Sequence, residues 1–210
     1  MDRLTLLYIL MGIIAYCLGS INFSIIISRK MAGFDVREKG SGNAGTTNML
    51  RTVGKKAAAI TLVCDVLKGV VAILLAYAFG KIVEDANAPL LIQIAGIAVI
   101  IGHTFPVFFG FKGGKGIATS LGILLMVNYE IGLICLIFAL LVMVLTKTVS
   151  IGSIMAAILF PVLTLVIHDK YIVGDNYIVF GIIVALIVIY NHRENIKRIV
   201  SGNENKLTLK

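Results

Sequence analysis

A polar stretch at residues 40–51 carries side chains suited to binding a phosphate group. It reads Gly-Ser-Gly-Asn-Ala-Gly-Thr-Thr-Asn-Met-Leu-Arg and lies between two long apolar segments. Glycines let successive backbone N–H groups turn toward an anion, and the hydroxyl side chains add further donors. The guanidinium of Arg51 forms a planar fork that fits a phosphate. The alternative is a solvated loop between membrane helices, because glycine, serine and asparagine are also ordinary turn residues.

A second polar cluster occupies residues 111–119 and contains the run Lys-Gly-Gly-Lys-Gly at residues 112–116. The run leads directly into a short apolar segment, so the N–H groups of a helix N-terminus would adjoin the glycines. It is not a Walker A loop, because Phe109 stands at the first glycine position and Gly116 stands where serine or threonine is required. Glycines interleaved with two lysines favour a phosphate role over lysines that only flank membrane helices.

The third polar cluster, residues 192–204, follows the last apolar segment. If the helix continues through it, His192 and Asn195 share one face, and His192 could act as a base or as a donor. The alternative is an interfacial histidine without a role. His103, which precedes a proline, and His168, in a polar loop, are weaker candidates.

The sequence holds no metal or cofactor signature. HExxH, CxxC and paired-carboxylate patterns are absent, and the three cysteines lie singly in apolar segments. The His-x4-Asp arrangement of many acyltransferases is absent as well. We therefore expect no metal and no cofactor.

Composition predicts one integral membrane domain that covers residues 1–210. The chain is 59% hydrophobic, has a mean hydropathy of +0.99 and contains no long polar region. Its net charge of +8 would suggest nucleic acid binding in a soluble protein. In a membrane protein the same excess follows from the concentration of Lys and Arg in cytoplasmic loops. We therefore expect the lipid bilayer, and no nucleic acid, as a partner.

Seven apolar segments predict an all-α integral membrane protein with seven transmembrane segments, one of them short. The segments are residues 4–28, 57–80, 90–109, 117–128, 131–146, 150–167 and 177–190. The fourth would be about 18 Å long as a helix, against roughly 30 Å for the hydrocarbon core. It is either a short span or a half-helix buried among the others. The third contains Pro106, so we expect it to kink or to end early.

The distribution of charge predicts that the N-terminus is outside and the C-terminus cytoplasmic. With seven crossings, 15 of the 19 Lys and Arg residues lie on the inner side, three lie outside, and Lys68 lies within a span. Fusing residues 117–146 into one crossing would place the basic C-terminal tail outside. The seven-span topology puts all three polar clusters at the cytoplasmic face.

The second apolar segment contains an acidic and a basic residue, Asp65 and Lys68. They are three residues apart and therefore lie on one helix face. Charged side chains in a membrane are costly and usually face a polar cavity. A purely structural ion pair is the alternative interpretation.

Taken together, these stretches resemble the acyl-phosphate:glycerol-3-phosphate acyltransferase family, the PlsY family of bacterial membrane enzymes. The matching motifs are Gly-Ser-Gly-Asn-x-Gly-x-Thr-Asn-x-Leu-Arg at 40–51, Asp-x-x-Lys-Gly at 65–69, Gly-His-x-Phe-Pro at 102–106, Phe-Lys-Gly-Gly-Lys-Gly-x-Ala-Thr at 111–119, and His-Arg-x-Asn-Ile-x-Arg at 192–198, followed by Gly202 and Glu204. They follow the family's order over most of the chain. Two departures are Ala44, where the family often has Pro, and Thr46, where it often has Ala. Both are small residues and affect only the local loop conformation.

The resemblance implies transfer of a fatty acyl group from acyl phosphate to the 1-hydroxyl of sn-glycerol 3-phosphate, giving lysophosphatidic acid and inorganic phosphate. This is the first acylation of bacterial phospholipid synthesis, at the cytoplasmic face of the plasma membrane. The family's seven-helix form, with its N-terminus outside, agrees with the charge distribution. One alternative is a transporter of a phosphorylated or anionic metabolite, because a half-helix whose N-terminus faces an anion is also a transporter device. Another is a lipid-binding assembly factor without chemistry. A monomer is compatible with all three.

The resemblance also implies the residues of the site. The expected catalytic residues are Ser41, Arg51, Lys115, His192 and Asn195. The expected substrate- and phosphate-binding residues are Ser41, Gly42, Asn43, Gly45, Thr47, Asn48, Arg51, Lys112, Gly113, Gly114, Lys115, Gly116, Thr119, His192, Asn195 and Glu204. Polar support inside the membrane is expected from Asp65, Lys68 and His103. No protein residue is an obvious base, so we expect a substrate phosphate to take the proton.

Overall fold

The structure is a computed structural model that describes residues 2–83, 86–167 and 177–206. These residues form ten α-helices, two short 3-10 helices and no strand. The α-helices are α1 Arg3–Gly19, α2 Phe23–Ala32, α3 Thr46–Thr52, α4 Lys55–Ile82, α5 Ala88–Thr104, α6 Ile117–Val127, α7 Tyr129–Thr146, α8 Val149–Val166, α9 Tyr177–Asn191 and α10 Arg193–Val200. The 3-10 helices are Val36–Glu38 and Val107–Phe109. The predicted all-helical fold is confirmed for this part of the chain. His168 and the polar loop predicted at residues 168–176 lie outside it.

Several helices of the described residues are long and apolar enough to cross a membrane. Five stretches meet this test: Arg3–Ala32, Lys55–Ile82, Ala88–Phe109, Tyr129–Thr146 and Val149–Val166. A sixth follows if the bent pair α9 and α10 forms one span. The remaining predicted segment is α6, whose 11 residues extend for about 16 Å. Each predicted segment therefore contains at least one helix, while seven crossings and their orientation stay predictions.

The first apolar segment is interrupted, although the sequence predicted one uninterrupted helix. The helix α1 ends at Gly19, and α2 begins at Phe23. Asn22 caps the new helix, because its Oδ1 accepts the N–H of Ile25 at 3.2 Å. Hydropathy did not reveal this break, since Asn22 is one amide in a long apolar run. The break matters below, because its carbonyl oxygens contact Lys68.

The chain divides into two compact units, Met1–Met126 and Val127–Lys210. In the first unit α1, α4 and α5 pack on one another. A Cβ on Gly19 would overlap the carbonyl oxygen of Val99, and a Cβ on Gly102 would overlap the backbone of α1. These glycines therefore permit the close backbone contact that small residues give to membrane helices.

A short helix, α3, lies inside the polar stretch that was expected to be a loop. Its N-terminal carbonyl, from Gly45, accepts the N–H groups of Asn48 and Met49 at 3.0 Å. The Met49 side chain is fully buried among apolar residues that include Ile25 and Val36. Burying such a side chain contributes about 1.5–3 kcal/mol. One well-buried methionine therefore anchors a helix that shows no apolar periodicity.

Two predicted helix boundaries are confirmed in the described residues. The helix α5 ends at Thr104, two residues before Pro106. The helices α6 and α7 are separate, because Asn128 caps α7 by accepting the N–H of Ile131 at its Oδ1, 3.0 Å away. Residues 117–146 are therefore not one continuous helix, as the charge distribution had indicated.

In the second unit, α8 packs against both α7 and α9. An aromatic cluster joins α8 to α9, with the ring centroid of Phe160 5.8 Å from that of Tyr177 and 6.3 Å from that of Phe180. The helices α9 and α10 meet at a bend of 61°. His192 lies at this bend, so the helix does not continue straight through the third polar cluster as the shared-face argument assumed.

Candidate active site

The first two polar clusters meet in the N-terminal unit. The backbone N–H of Ala44 and the side-chain amide of Asn43 both donate to the carbonyl oxygen of Gly113, each at 3.4 Å. Residues 40–51 and 112–116 thus form one continuous polar region, which the sequence alone could place only at the same face of the membrane.

The glycines of the second cluster are required by close packing against α5. The N–H of Gly113 donates to the Thr104 carbonyl at 3.0 Å, and the N–H of Gly114 donates to the His103 carbonyl at 3.1 Å. A Cβ on Gly114 would overlap the imidazole of His103 and lie 2.9 Å from the Ala44 carbonyl oxygen. These two N–H groups were expected to face an anion, but they are engaged with α5. The first turn of α6 supplies further backbone N–H donors next to this loop.

Asn48 shapes the first cluster from within. Its Oδ1 accepts the backbone N–H of Ser41 at 2.9 Å, and its Nδ2 donates to the carbonyls of Val36 and Lys39 at 2.8 and 3.0 Å. The side chain is 1% exposed. Gly40 lies beside it in the left-handed region with φ +62°, where a Cβ would overlap the Asn48 amide. Asn48 therefore acts on the site by holding the loop that presents Ser41.

The remaining predicted residues of these two clusters differ in exposure. Ser41, Gly42, Arg51 and Lys112 are exposed. Asn43, Gly45, Thr47, Gly113 and Lys115 are partly buried. Gly114, Gly116 and Thr119 are buried. Gly116, with φ +89°, leads into α6, where the buried hydroxyl of Thr119 has no hydrogen-bond partner among the described residues. The exposed cations and hydroxyls are accessible to a ligand, while the buried residues set the geometry.

A buried polar cluster adjoins the glycine-rich run 112–116 and consists of Asp65, Lys68 and His103. Lys68 Nζ lies 3.0 Å from Asp65 Oδ1, and His103 Nδ1 lies 3.5 Å from the same oxygen. Lys68 also donates to the carbonyls of Gly19 and Ile21, each at 3.0 Å. The three side chains are nearly inaccessible to solvent. They connect the break in the first span to His103, whose carbonyl accepts the N–H of Gly114. The supporting role expected for them stays a prediction.

The third cluster lies in the C-terminal unit and centres on the Glu204 carboxylate. Its Oε1 accepts from Asn195 Nδ2 at 2.6 Å and from Ser150 Oγ at 2.9 Å, and its Oε2 accepts from Arg198 Nε at 2.8 Å. Burial alone would raise the pKa of Glu204, but the three donors outweigh it and lower that pKa. Glu204 is therefore an ionised anchor that orients Asn195.

His192 is held in one orientation at the bend between α9 and α10. Its Nδ1 lies 2.7 Å from the Val188 carbonyl, and since a carbonyl can only accept, Nδ1 carries the proton. In the neutral ring, Nε2 is then the nitrogen with a lone pair. The side chain is 3% exposed. A fixed Nε2 acceptor of this kind suits contact with a substrate hydroxyl.

Sequence reasoning missed three residues that shape these clusters. Arg37 donates to the backbone carbonyls of Phe109 and Lys112, Asp35 holds Arg37, and Ser150 donates to Glu204. The Asp-x-Arg spacing directly before the glycine-rich stretch was a usable signal for the first two. Nothing in the apolar sequence around Ser150 distinguishes it from a small packing residue.

The fold and these clusters define an integral membrane protein with a basic, glycine-rich site of the type that binds phosphate-bearing substrates. A family model described as glycerol-3-phosphate acyltransferase matches residues 9–202. A glycerol-3-phosphate acyltransferase of Clostridioides difficile is 45% identical over 204 residues, covering 95% of each chain. One from Shouchella clausii is 42% identical over 192 residues, covering 91% of this chain and 92% of that one.

Solved structures agree with the relatives. The crystal structure of PlsY (YgiH), an integral membrane glycerol 3-phosphate acyltransferase, in its glycerol 3-phosphate form has a TM-score of 0.85 and 37% identity over 96% of both chains. Its lysophosphatidic acid form has a TM-score of 0.83 and 35% identity, covering 96% of this chain and 95% of that one. The chain belongs to the glycerol-3-phosphate acyltransferase family. The transporter alternative has no support among these relatives, which are named as enzymes.

Proposed function

We propose that the chain transfers a fatty acyl group from acyl phosphate to the 1-hydroxyl of sn-glycerol 3-phosphate. The products are lysophosphatidic acid and inorganic phosphate. The observation that carries the proposal is the junction of the two glycine-rich clusters at the Gly113 carbonyl, in a chain of this family. Both substrates carry a phosphate, and the joined clusters bring together the lysines, hydroxyls and amides that bind phosphate.

The chemistry needs no covalent enzyme intermediate, because acyl phosphate is a mixed anhydride with a good leaving group. The 1-hydroxyl oxygen attacks the carbonyl carbon and forms the ester bond, and the bond from that carbon to the phosphate oxygen breaks, leaving its electron pair on phosphate. The hydroxyl proton passes to a substrate phosphate oxygen. Lys112 and Lys115 neutralise the charge that develops on the departing phosphate, and positioning of both substrates supplies much of the remaining acceleration.

The other predicted residues take roles that follow from their chemistry. Ser41 and Arg51 bind phosphate together with residues 112–116. Ser41 supplies a hydroxyl donor and Arg51 a planar fork. His192 and Asn195 orient glycerol 3-phosphate, His192 through the Nε2 that its bond to Val188 leaves as an acceptor. Glu204 supports Asn195 and contacts no substrate in this scheme.

The proposed setting is the bacterial plasma membrane, crossed seven times, with the N-terminus outside and the active site at the cytoplasmic face. The inner-side excess of Lys and Arg supports this orientation. It can be tested with single cysteines replacing Ala86 or Ser201 in a protein without its native cysteines. An impermeant thiol reagent added outside should label the cysteine at 86 and leave the one at 201 unlabelled. External labelling at 201 would contradict the topology.

The donor is tested with the purified protein by measuring release of inorganic phosphate. Release should require both acyl phosphate and glycerol 3-phosphate, and acyl-coenzyme A should not replace the donor, because its thioester places no phosphate beside the reacting carbonyl. Lys115→Ala should lower turnover sharply, whereas Lys30→Ala, which removes an exposed lysine at the end of α2, should not. Efficient acylation from acyl-coenzyme A would refute the donor assignment, and full turnover of Lys115→Ala would refute the role of that lysine.

A further inference from the structure

Arg37 bonds both ends of the turn at residues 109–112, which leads into the glycine-rich run 112–116. Arg37 itself lies in neither glycine-rich cluster. It belongs to the 3-10 helix Val36–Glu38. Its Nη1 donates to the carbonyl of Phe109 at 2.7 Å and to that of Lys112 at 3.0 Å. The two carbonyls bracket residues 110 and 111, so one guanidinium nitrogen holds both ends of this turn.

The turn between these carbonyls has an unfavourable backbone conformation. Gly110 has φ +67° and Phe111 has φ +58°, and Phe111 is one of two non-glycine residues with positive φ in the described part of the chain. A bulky L-residue adopts this region only when its surroundings impose it. The Phe111 side chain is 57% exposed, so its packing contributes little of the restraint. The restraint comes from hydrogen bonds. The N–H groups of Phe109 and Phe111 donate to the Pro106 carbonyl at 3.1 and 2.9 Å, the N–H of Gly113 donates to the Thr104 carbonyl, and the Arg37 side chain bonds the carbonyls on either side.

Asp35 holds the Arg37 guanidinium in place. Arg37 Nε donates to Asp35 Oδ1 at 3.0 Å, and Arg37 Nη2 donates to Asp35 Oδ2 at 2.8 Å, which is the bidentate pairing of a carboxylate with a guanidinium. The hydrogen bonds from Arg37 lower the pKa of Asp35 from 3.8 to about 2, against the opposing effect of burial. Four of the five guanidinium N–H bonds are thus used by Asp35 and the two carbonyls. Arg37 is therefore built to hold protein atoms.

We infer that Arg37 is a positioning residue, whose fork locks the turn at residues 109–112 and thereby fixes where Lys112 meets a substrate phosphate. The substrate part of this inference rests on the proposed function, whereas the locking of the turn does not. Loss of the fork would let Phe111 relax toward negative φ and rotate the peptide that carries Lys112. Phosphate binding would then weaken although no group that contacts substrate had been removed.

The first test uses kinetics with a matched control. Arg37→Gln should raise the KM for a phosphate-bearing substrate about ten- to a hundredfold, with a much smaller change in kcat. Arg37→Lys should behave similarly, because a lysine keeps the charge and lacks the fork. Arg29→Gln is the control, because Arg29 also pairs with Asp35, at 2.9 Å, but is 57% exposed and makes no bond to the turn in the described structure. An unchanged KM in Arg37→Gln, or equal effects of Arg37→Gln and Arg29→Gln, would overturn the inference.

A second measurement is independent of the reaction. Trypsin cleaves after lysine, and release of the fragment ending at Lys112 reports opening of the turn in the intact, purified protein. Cleavage there should be severalfold faster in Arg37→Gln than in wild type or Arg29→Gln. Phe111→Gly in the Arg37→Gln background should restore part of the KM, because glycine adopts positive φ without steric strain. Unchanged cleavage, or no restoration by Phe111→Gly, would refute the locking role. If the wild type lacked turnover while cleavage still responded to Arg37, the proposed function would fail and the structural inference would stand.

Discussion

The buried pair of Asp65 and Lys68 gives the sharpest stability prediction. Their side chains are 3% and 1% exposed, and Lys68 Nζ lies 3.0 Å from Asp65 Oδ1. Asp65→Ala would leave the ammonium without a carboxylate, held by the carbonyls of Gly19 and Ile21 and by the face of the Phe23 ring, 5.9 Å away. Removing one member of such a pair costs about 3–5 kcal/mol, because an uncompensated charge stays buried. We expect Asp65→Ala to lower the free energy of unfolding by that amount.

The double variant separates the effect of charge from that of packing. Lys68→Met alone should also cost about 3–5 kcal/mol, because it strands the carboxylate. Asp65→Ala with Lys68→Met removes both charges and leaves carbonyl groups and the His103 ring short of partners, at about 1–3 kcal/mol for an unsatisfied group. The double variant should therefore be more stable than the sum of the single changes predicts, with a coupling energy of at least about 2 kcal/mol.

Denaturant unfolding of the detergent-solubilised protein measures these free energies, and a matched pair provides the control. Lys197 and Glu194 have the same three-residue spacing and a similar distance of 3.1 Å, but their side chains are 73% and 59% exposed. Glu194→Ala should therefore cost less than about 1 kcal/mol. The reasoning fails if Asp65→Ala costs no more than Glu194→Ala, or if the Asp65 and Lys68 changes simply add.

Three further predictions concern the N-terminal unit. Gly114→Ala should cost about 1–3 kcal/mol and most of the turnover, because its Cβ would overlap the His103 ring. Gly33→Ala, with nothing within 4 Å but φ +75°, should lose about 1–2 kcal/mol to left-handed backbone strain and still retain full turnover. Asp35 has a pKa lowered to about 2, so its stabilising contribution of about 2 kcal/mol should be complete above pH 4 and lost as the pH falls toward 2. Unfolding measured between pH 5 and 2.5 should show a larger loss in wild type than in Asp35→Asn, and the difference should be most of this contribution, because other carboxylates such as Glu204 titrate in both proteins. Arg51→Ala should weaken apparent substrate affinity about ten- to a hundredfold while the protein stays in the membrane, and unchanged kinetics would make Arg51 a flanking charge only.

The sequence predicted those features that depend on strong local signals. The helix α5 ends two residues before Pro106, and the short apolar run forms the separate helix α6. The spacing of Asp65 and Lys68 puts them on one helix face, where they pair. Each of these follows from proline geometry, hydropathy or helical periodicity. The membership of the chain in its family followed from motifs that span most of its length.

Features that depend on tertiary contacts were not predictable in this way. The break at Asn22 and the helix α3 are each set by one side chain, a capping amide and a buried methionine, in a sequence without a matching pattern. The N–H groups of Gly113 and Gly114 point at the end of α5. That end is only about ten residues away in sequence, but its position relative to the glycines is fixed by the fold. The fork of Arg37 likewise acts on carbonyls more than 70 residues away.

The break in the first membrane segment has a consequence for how the protein responds to its ionic surroundings. Interrupted membrane helices in transporters commonly expose carbonyl oxygens that coordinate a dissolved sodium ion. Here the carbonyls of Gly19 and Ile21 are met instead by the ammonium of Lys68, a cation that is covalently part of the chain and cannot dissociate. The carbonyl oxygens at the break are therefore bound by Lys68 whatever salt surrounds the protein. Its integrity should be the same in sodium, in potassium and in media that contain neither.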